Sequence, residues 1–117
     1  MIGGAMKHKY NAKKTVVDGI TFDSKKEAVR YKELKALELV GKIDRLELQP
    51  RFVLMDGFRY EGKAIRKIEY IADFLYRDLS TYELVVEDVK GVKTDVYKLK
   101  KKLFLKHYGN EYKFKEV

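Results

Sequence analysis

Asp73 interrupts the apolar run Tyr70-Ile71-Ala72-Asp73-Phe74-Leu75-Tyr76, and Asp88 and Lys90 close a second run, Leu84-Val85-Val86-Glu87-Asp88-Val89-Lys90. Both runs are rich in β-branched and aromatic residues and read as strands. Strand side chains alternate between faces, so Asp88 and Lys90 point one way while Glu87 points the other, with Val85 and Val89. A carboxylate inside a buried strand is costly unless a cation compensates it. Two aspartates and a lysine at neighbouring strand positions therefore read as an oxygen-ligand cation site, suited to Mg²⁺ or Mn²⁺. A buried structural ion pair would use the same residues, and a bulge would put Glu87 in place of Asp88. The chain has no cysteine and only two histidines, His8 and His107. That excludes thiolate chemistry and a disulfide framework, and it argues against a zinc site of the His/Cys type.

The elements that must position these residues follow from local signals. Asp18-Gly19 between Thr15-Val16-Val17 and Ile20-Thr21-Phe22 predicts a tight hairpin. Ser24-Lys25-Lys26-Glu27 matches a capping box, and Gly41 supplies the stop of a first helix with Ala28, Tyr31, Leu34 and Leu37 on its apolar face. Two extended segments follow, over 43–48 and 51–55, separated by Gln49-Pro50 and ended by the turn Asp56-Gly57. The charged stretch 59–67 reads as a loop or strand end. Residues 68–76 read as one strand, paired with a strand over 83–90 that Gly91 closes. Thr94 caps a second helix from Asp95 to Tyr108, stopped by Gly109, and a short terminal strand falls over 112–114. On that helix Val96, Leu99, Leu103, Phe104 and Tyr108 trace the expected apolar face, with Lys98, Lys101 and Lys102 opposite. Lys100 falls inside the apolar arc, where it would snorkel outward or reach toward the acids or a phosphate. Tyr97 reads as core. The fold class is α+β or α/β, with one central mixed sheet flanked by helices and an N-terminal β-hairpin.

At 117 residues the chain is one domain's worth, and its 45% apolar fraction can fill a single core. Its longest apolar run, 52–55, is far short of the ~18 residues that would span a bilayer. Lysine and arginine number 26 against 18 acids, a net charge of +8. Residues 7–14 hold four lysines and no acid, and residues 93–106 hold six lysines against Asp95. Together they carry more than the whole excess, so a basic arm over residues 1–14 and a basic helix within the domain over 15–117 stand on an otherwise near-neutral body. That distribution suits a polyanionic partner, most simply nucleic acid, though a solvated lysine-rich surface has the same composition.

Asp73 followed fifteen residues later by Asp88-Val89-Lys90 resembles the bipartite signature of the PD-(D/E)XK nuclease superfamily, with Ala72 in place of its proline. Phe22-Asp23-Ser24-Lys25-Lys26-Glu27-Ala28, Leu48-Gln49-Pro50, Ala72-Asp73-Phe74 and Val86-Glu87-Asp88-Val89-Lys90-Gly91 are similar to a family of small phage and prophage proteins. That family looks related to transposon-end-cleaving endonucleases and phage Holliday-junction resolvases.

The resemblance implies a restriction-endonuclease-like fold and a Mg²⁺-dependent DNA endonuclease, with Mn²⁺ able to substitute. It implies a cytoplasmic setting in a bacterial host, and phage or prophage origin. Asp73 and Asp88 would ligate the metal, joined by the Val89 carbonyl and by Glu27, the acid on the first helix. Glu27 shares the inward stripe of Tyr31 and Leu34, yet it is also the capping-box residue, so both roles stay open. Lys90 would orient the attacking water and stabilise charge developing on phosphorus. Lys9, Lys13, Lys14, Lys98, Lys100, Lys101 and Lys102 would grip DNA phosphates. An enzyme of this size cutting both strands would act as a homodimer, with branched DNA as an attractive substrate. The rival readings are a non-catalytic nucleic-acid-binding module and an assembly protein whose arm meets acidic partners.

Overall fold

The structure, a computed structural model, describes residues 13–117, so Lys9 and the rest of the basic arm before Lys13 lie outside the described residues. Asp18 and Gly19 both adopt left-handed backbone, φ 52° and 74°, and fold β1 (Thr15–Val17) onto β2 (Ile20–Phe22) as the sequence predicts. Helix α1 (Lys25–Leu39) starts where the Ser24 side chain accepts the Glu27 N–H, and Gly41 at φ 79° leads the chain out of it. Beyond it come β3 (Ile43–Leu48), β4 (Arg51–Met55), β5 (Phe58–Tyr60), β6 (Lys63–Ile65), β7 (Ile68–Ile71), β8 (Phe74–Asp78), β9 (Leu84–Asp88), α2 (Asp95–Tyr108) and β10 (Tyr112–Glu116). The fold is mixed α+β, with ten strands and two helices among the described residues.

The central sheet runs β10-β9-β8-β3, parallel between β10 and β9 and antiparallel elsewhere. One face packs under α1, where Tyr31 and Leu34 meet Phe22, Ile43, Phe74, Tyr76 and Val85. The core on the other side joins Tyr97 and Phe104 of α2 to Phe52, Leu54, Tyr70, Ala72 and Val86. Alternation along β9 feeds both cores, because Val85 and Glu87 face α1 while Val86 and Asp88 face α2. Among the described residues no helix is long and apolar enough to cross a membrane.

Three expectations are corrected. Residues 68–76 form two strands, not one: β7 pairs with β4, whereas β8 pairs with β3 and β9, and the chain changes partner at Ala72-Asp73. The stretch 59–67 is not a loop. It holds most of a hairpin of β5 and β6, turned by Glu61 and Gly62 at φ 47° and 78°, the same device as Asp18-Gly19. Finally, α2 buries Tyr97 and Phe104 while Val96 and Leu99 stay exposed at 62% and 58%, so its inward line is rotated from the predicted one. The sheet offers an aromatic socket for Phe104, whose ring centroid lies 4.9 Å from that of Phe52 and 5.3 Å from that of Tyr70. Glu116 offers an acceptor for the Tyr97 hydroxyl at 2.6 Å, which draws that ring inward.

Candidate functional site

Pairing of β3 with β8, β4 with β7 and β5 with β6 makes a single antiparallel ribbon. Its register shifts between Asp44 and Glu47 and between Val53 and Met55, and beside the site the pairing breaks where Gln49-Pro50 lies opposite Ala72-Asp73. Gln49 takes a left-handed φ of 51° there; its N–H donates to the Asp73 carbonyl at 3.0 Å, and the Ala72 N–H donates to the Pro50 carbonyl at 3.1 Å. The interruption frees Asp73 from regular pleating. Its N–H reaches the Glu87 carbonyl at 3.1 Å, and its carboxylate accepts the Val89 N–H at 2.7 Å.

Asp73 thus sits between two other acids. Glu27, buried on the first turn of α1, lies on one side and Asp88 on the other. Burial, and after it the neighbouring Glu27 carboxylate, raise the Asp73 carboxyl to about 7 against the opposing pull of the Val89 N–H and of Asp88. Burial likewise raises Asp88 to about 7, with Asp73 adding to the effect and the Tyr70 hydroxyl and Lys90 opposing it. Two buried carboxyls this close titrate as a pair rather than separately. Lys90 Nζ stands 3.0 Å from Asp88 Oδ1 and 4.2 Å from the centroid of the Tyr97 ring, so a carboxylate and an aromatic face fix its position.

Strand parity distinguishes the two acids of β9. Glu87 is fully buried on the α1 side, where Arg30 Nε and Nη2 donate to its two oxygens at 2.8 and 2.6 Å and the Tyr76 hydroxyl donates to one of them. This bidentate pair neutralises Glu87 and holds the Arg30 guanidinium firmly protonated. Asp88 is the β9 acid that joins Asp73. Glu27 caps the helix in a modified way and borders Asp73: its N–H donates to the Ser24 side chain, and its carboxylate accepts the Asp23 N–H at 3.0 Å rather than that of Ser24.

An open cavity of about 590 Å³ is lined by Lys13, Lys25, Lys26, Glu27, Asp73 and Lys90 together with Val89, while Asp88 stays buried and does not line it. A smaller recess of about 110 Å³ brings Gln49 beside Glu27 and Asp73. Lys26, which the sequence reading did not single out, donates from Nζ to the Lys90 carbonyl at 3.1 Å. Tyr70 and Arg30 were also missed. The only signal for Tyr70 is its parity with Ala72, and for Arg30 its place one turn beyond Glu27.

Other predicted residues lie apart from the acids. Lys14 pairs with Asp23 at 3.0 Å. Lys98 and Lys102 are exposed on α2 and share a shallow depression with Tyr97 and Lys101. Lys101 does not lie opposite the buried face: it bonds Glu116 at 3.1 Å and sits over the Phe114 ring. Lys100 is half-buried on the flank, and His107 is exposed.

The donor set fits a hard cation, since it offers carboxylates and a main-chain carbonyl and neither thiolate nor imidazole. Among the described residues no three acidic or imidazole side chains close on one point. Each acid is instead turned to a donor of its own: Glu27 to Asp23, Asp73 to Val89, Asp88 to Tyr70 and Lys90.

A family model described as "Protein of unknown function (DUF1064)" matches residues 7–116. The chain belongs to this family. No curated protein and no solved structure matches it. The match spans all of Glu27, Asp73, Asp88 and Lys90, so the acidic row lies within the family's domain and not on an appendage to it.

Proposed function

We propose that the protein is a Mg²⁺-dependent DNA endonuclease, acting as a homodimer with a preference for branched substrates. The observation that carries this reading is the row Glu27–Asp73–Asp88: Glu27, Asp73 and Lys90 line a lysine-rimmed cavity, and Asp88, held by Lys90, is buried just behind it. Carboxyls raised to about 7 by burial first, and by neighbouring carboxylates second, are poorly accommodated as a purely structural feature, and a divalent cation would relieve them.

Asp73 and Asp88 would hold the ion, with Glu27 and the Val89 carbonyl as further ligands. A bound Mg²⁺ supplies Lewis acidity toward a phosphate oxygen and lowers the pKa of water. The protein's own part is positional. Val89 N–H and Tyr70 fix the two aspartates, while the Tyr97 ring and Asp88 fix Lys90, whose three donors can hold the attacking water and a non-bridging phosphate oxygen. Water oxygen adds to phosphorus as one ester P–O bond breaks, and the departing oxygen takes up a proton. Lys13, Lys25 and Lys26 at the rim, with Lys98 and Lys102 on α2, would neutralise flanking phosphates.

The test is cleavage of labelled duplex, flap and four-way-junction DNA by wild type and Asp88→Ala, in Mg²⁺, Mn²⁺ and EDTA. Cutting by the wild type alone, with metal only, is expected. If neither protein cuts any substrate while both still shift DNA, the protein is a binding module and the catalytic reading fails.

A further inference from the structure

The hairpin of β5 and β6 has no role in the acidic site, yet it lies within the longest exposed run among the described residues. Every residue of both strands is exposed, and the principal contacts of the two strands are with each other. Phe58 and Tyr60 expose 50% and 64% of their surface, and register puts Phe58 opposite Ile65 and Tyr60 opposite Lys63 on one face. Cations alternate with these rings in sequence, Lys63 on their face and Arg59 with Ala64 on the other, and Arg59, Lys63, Arg66 and Lys67 stand against Glu61 alone within residues 58–67. Lys67 is tied to Glu69 at 3.4 Å. No carboxylate among the described residues pairs with Arg59, Lys63 or Arg66, and Arg59 closes the turn by donating to the Gly62 carbonyl at 2.6 Å.

The hairpin is also mechanically joined to the acids. It is the distal end of the ribbon whose interruption holds Asp73, continuous through β4 and β7. Gly57 lets the ribbon pass closely at the joint, where a side chain would meet the Ile65 carbonyl at 3.1 Å. The molecule is correspondingly elongated, with a radius of gyration of 16.4 Å against about 13 Å for a compact chain of this size. From Arg51, beside the interruption, to the Glu61-Gly62 turn is about ten residues. That spans at most ~35 Å, about ten base pairs of duplex at ~3.4 Å each.

We infer that the β5–β6 hairpin is a DNA-binding arm, its cations on backbone phosphates and Phe58 and Tyr60 against bases, within about one duplex turn of the cut site. This rests on the nuclease reading. Exposed rings between unpaired cations are the equipment for backbone neutralisation with base stacking. A second copy of the chain is a poorer occupant. Arm against arm would oppose like charges, and Phe58, Tyr60 and Ile65 together expose only on the order of 300 Å², well under the ~800 Å² per partner of a stable interface.

The test measures affinity by fluorescence anisotropy, in EDTA, for a 40-base-pair duplex and a four-way junction between 50 and 200 mM KCl. Wild type is compared with Arg59→Ala/Lys63→Ala/Arg66→Ala, with Phe58→Ala/Tyr60→Ala, and with a control of equal charge loss, Lys32→Ala/Lys42→Ala/Lys113→Ala. The arm's triple variant is expected to bind at least tenfold more weakly, with the salt slope reduced by about 2–3. The aromatic variant is expected to lose about fivefold or more with the slope unchanged.

If the triple variant and the control bind alike, or if the triple variant changes sedimentation from dimer to monomer without changing affinity, the arm proposal is overturned and the nuclease reading stands. If the wild type binds DNA through the arm but cuts nothing in Mg²⁺ or Mn²⁺, the nuclease reading falls and the arm survives. A wild type that binds neither DNA overturns both.

Discussion

Asp73→Asn separates a site selected for charge from one selected for stability. The asparagine Oδ1 can still accept the Val89 N–H at 2.7 Å, and its amide would add donors toward Glu27 and Asp88, so packing is conserved. What disappears is the central charge of the row. Burial and Glu27 raise the Asp73 carboxyl from 3.8 to about 7 in the fold. A carboxyl raised on folding contributes stability that is present below its unfolded value near 4 and lost as pH rises through 7. Three pH units correspond to about 4 kcal/mol. Asp88 shares the effect, so about 2 kcal/mol is the expected gain for the single substitution at pH 8, or roughly 8–16 °C in melting temperature.

The assay is thermal unfolding in EDTA from pH 4 to 8.5, repeated with 10 mM Mg²⁺. In EDTA the variant should melt above the wild type at pH 8, and the gap should close toward pH 4. Mg²⁺ should raise the wild type at pH 8 and leave the variant unmoved, because only the intact row binds the ion. A variant less stable than the wild type at pH 8, or a gap that persists at pH 4, would refute the argument that Asp73 is held against its electrostatic preference.

Two other consequences are open to direct measurement. Glu87→Ala strands the Arg30 guanidinium and the Tyr76 hydroxyl beneath the site, and urea denaturation should show a loss of about 3–5 kcal/mol; a loss under 1 kcal/mol would mean the bidentate pair contributes little. Tyr97→Leu removes the ring 4.2 Å from Lys90 Nζ. If Lys90 acts in the chemical step, the cleavage rate should fall at least severalfold with duplex affinity in EDTA unchanged, whereas equal losses in both would place Tyr97 in binding.

Much of this architecture is written locally. The Asp18-Gly19 turn, the Ser24 and Thr94 caps, the Gly41 exit and the limits of β3, β4, α1 and α2 all depend on residues within a few positions of one another. The opposite orientations of Glu87 and Asp88 are equally local, because a two-residue alternation needs only an unbroken strand. Even the mistaken stretch 59–67 held its signal, since Glu61-Gly62 between Phe58-Arg59-Tyr60 and Lys63-Ala64-Ile65 repeats the turn chemistry of the first hairpin.

The remaining features depend on partners far away in the chain. The division of residues 68–76 at Ala72-Asp73 exists because β7 finds β4 while β8 finds β3 and β9, and no run of nine residues contains that information. The same division turns Asp73 toward Glu27, 46 positions earlier, and toward Asp88. Periodicity allowed α2 several apolar arcs, and the aromatic socket around Phe52 with the Glu116 acceptor selected the arc carrying Tyr97 and Phe104. Residue types and their alternation therefore determined which side chains were available for chemistry and which faces they occupied. Pairing across the sheet decided which of them meet, because burial of the acids and the groups that answer their charge are set by contacts between segments distant in sequence.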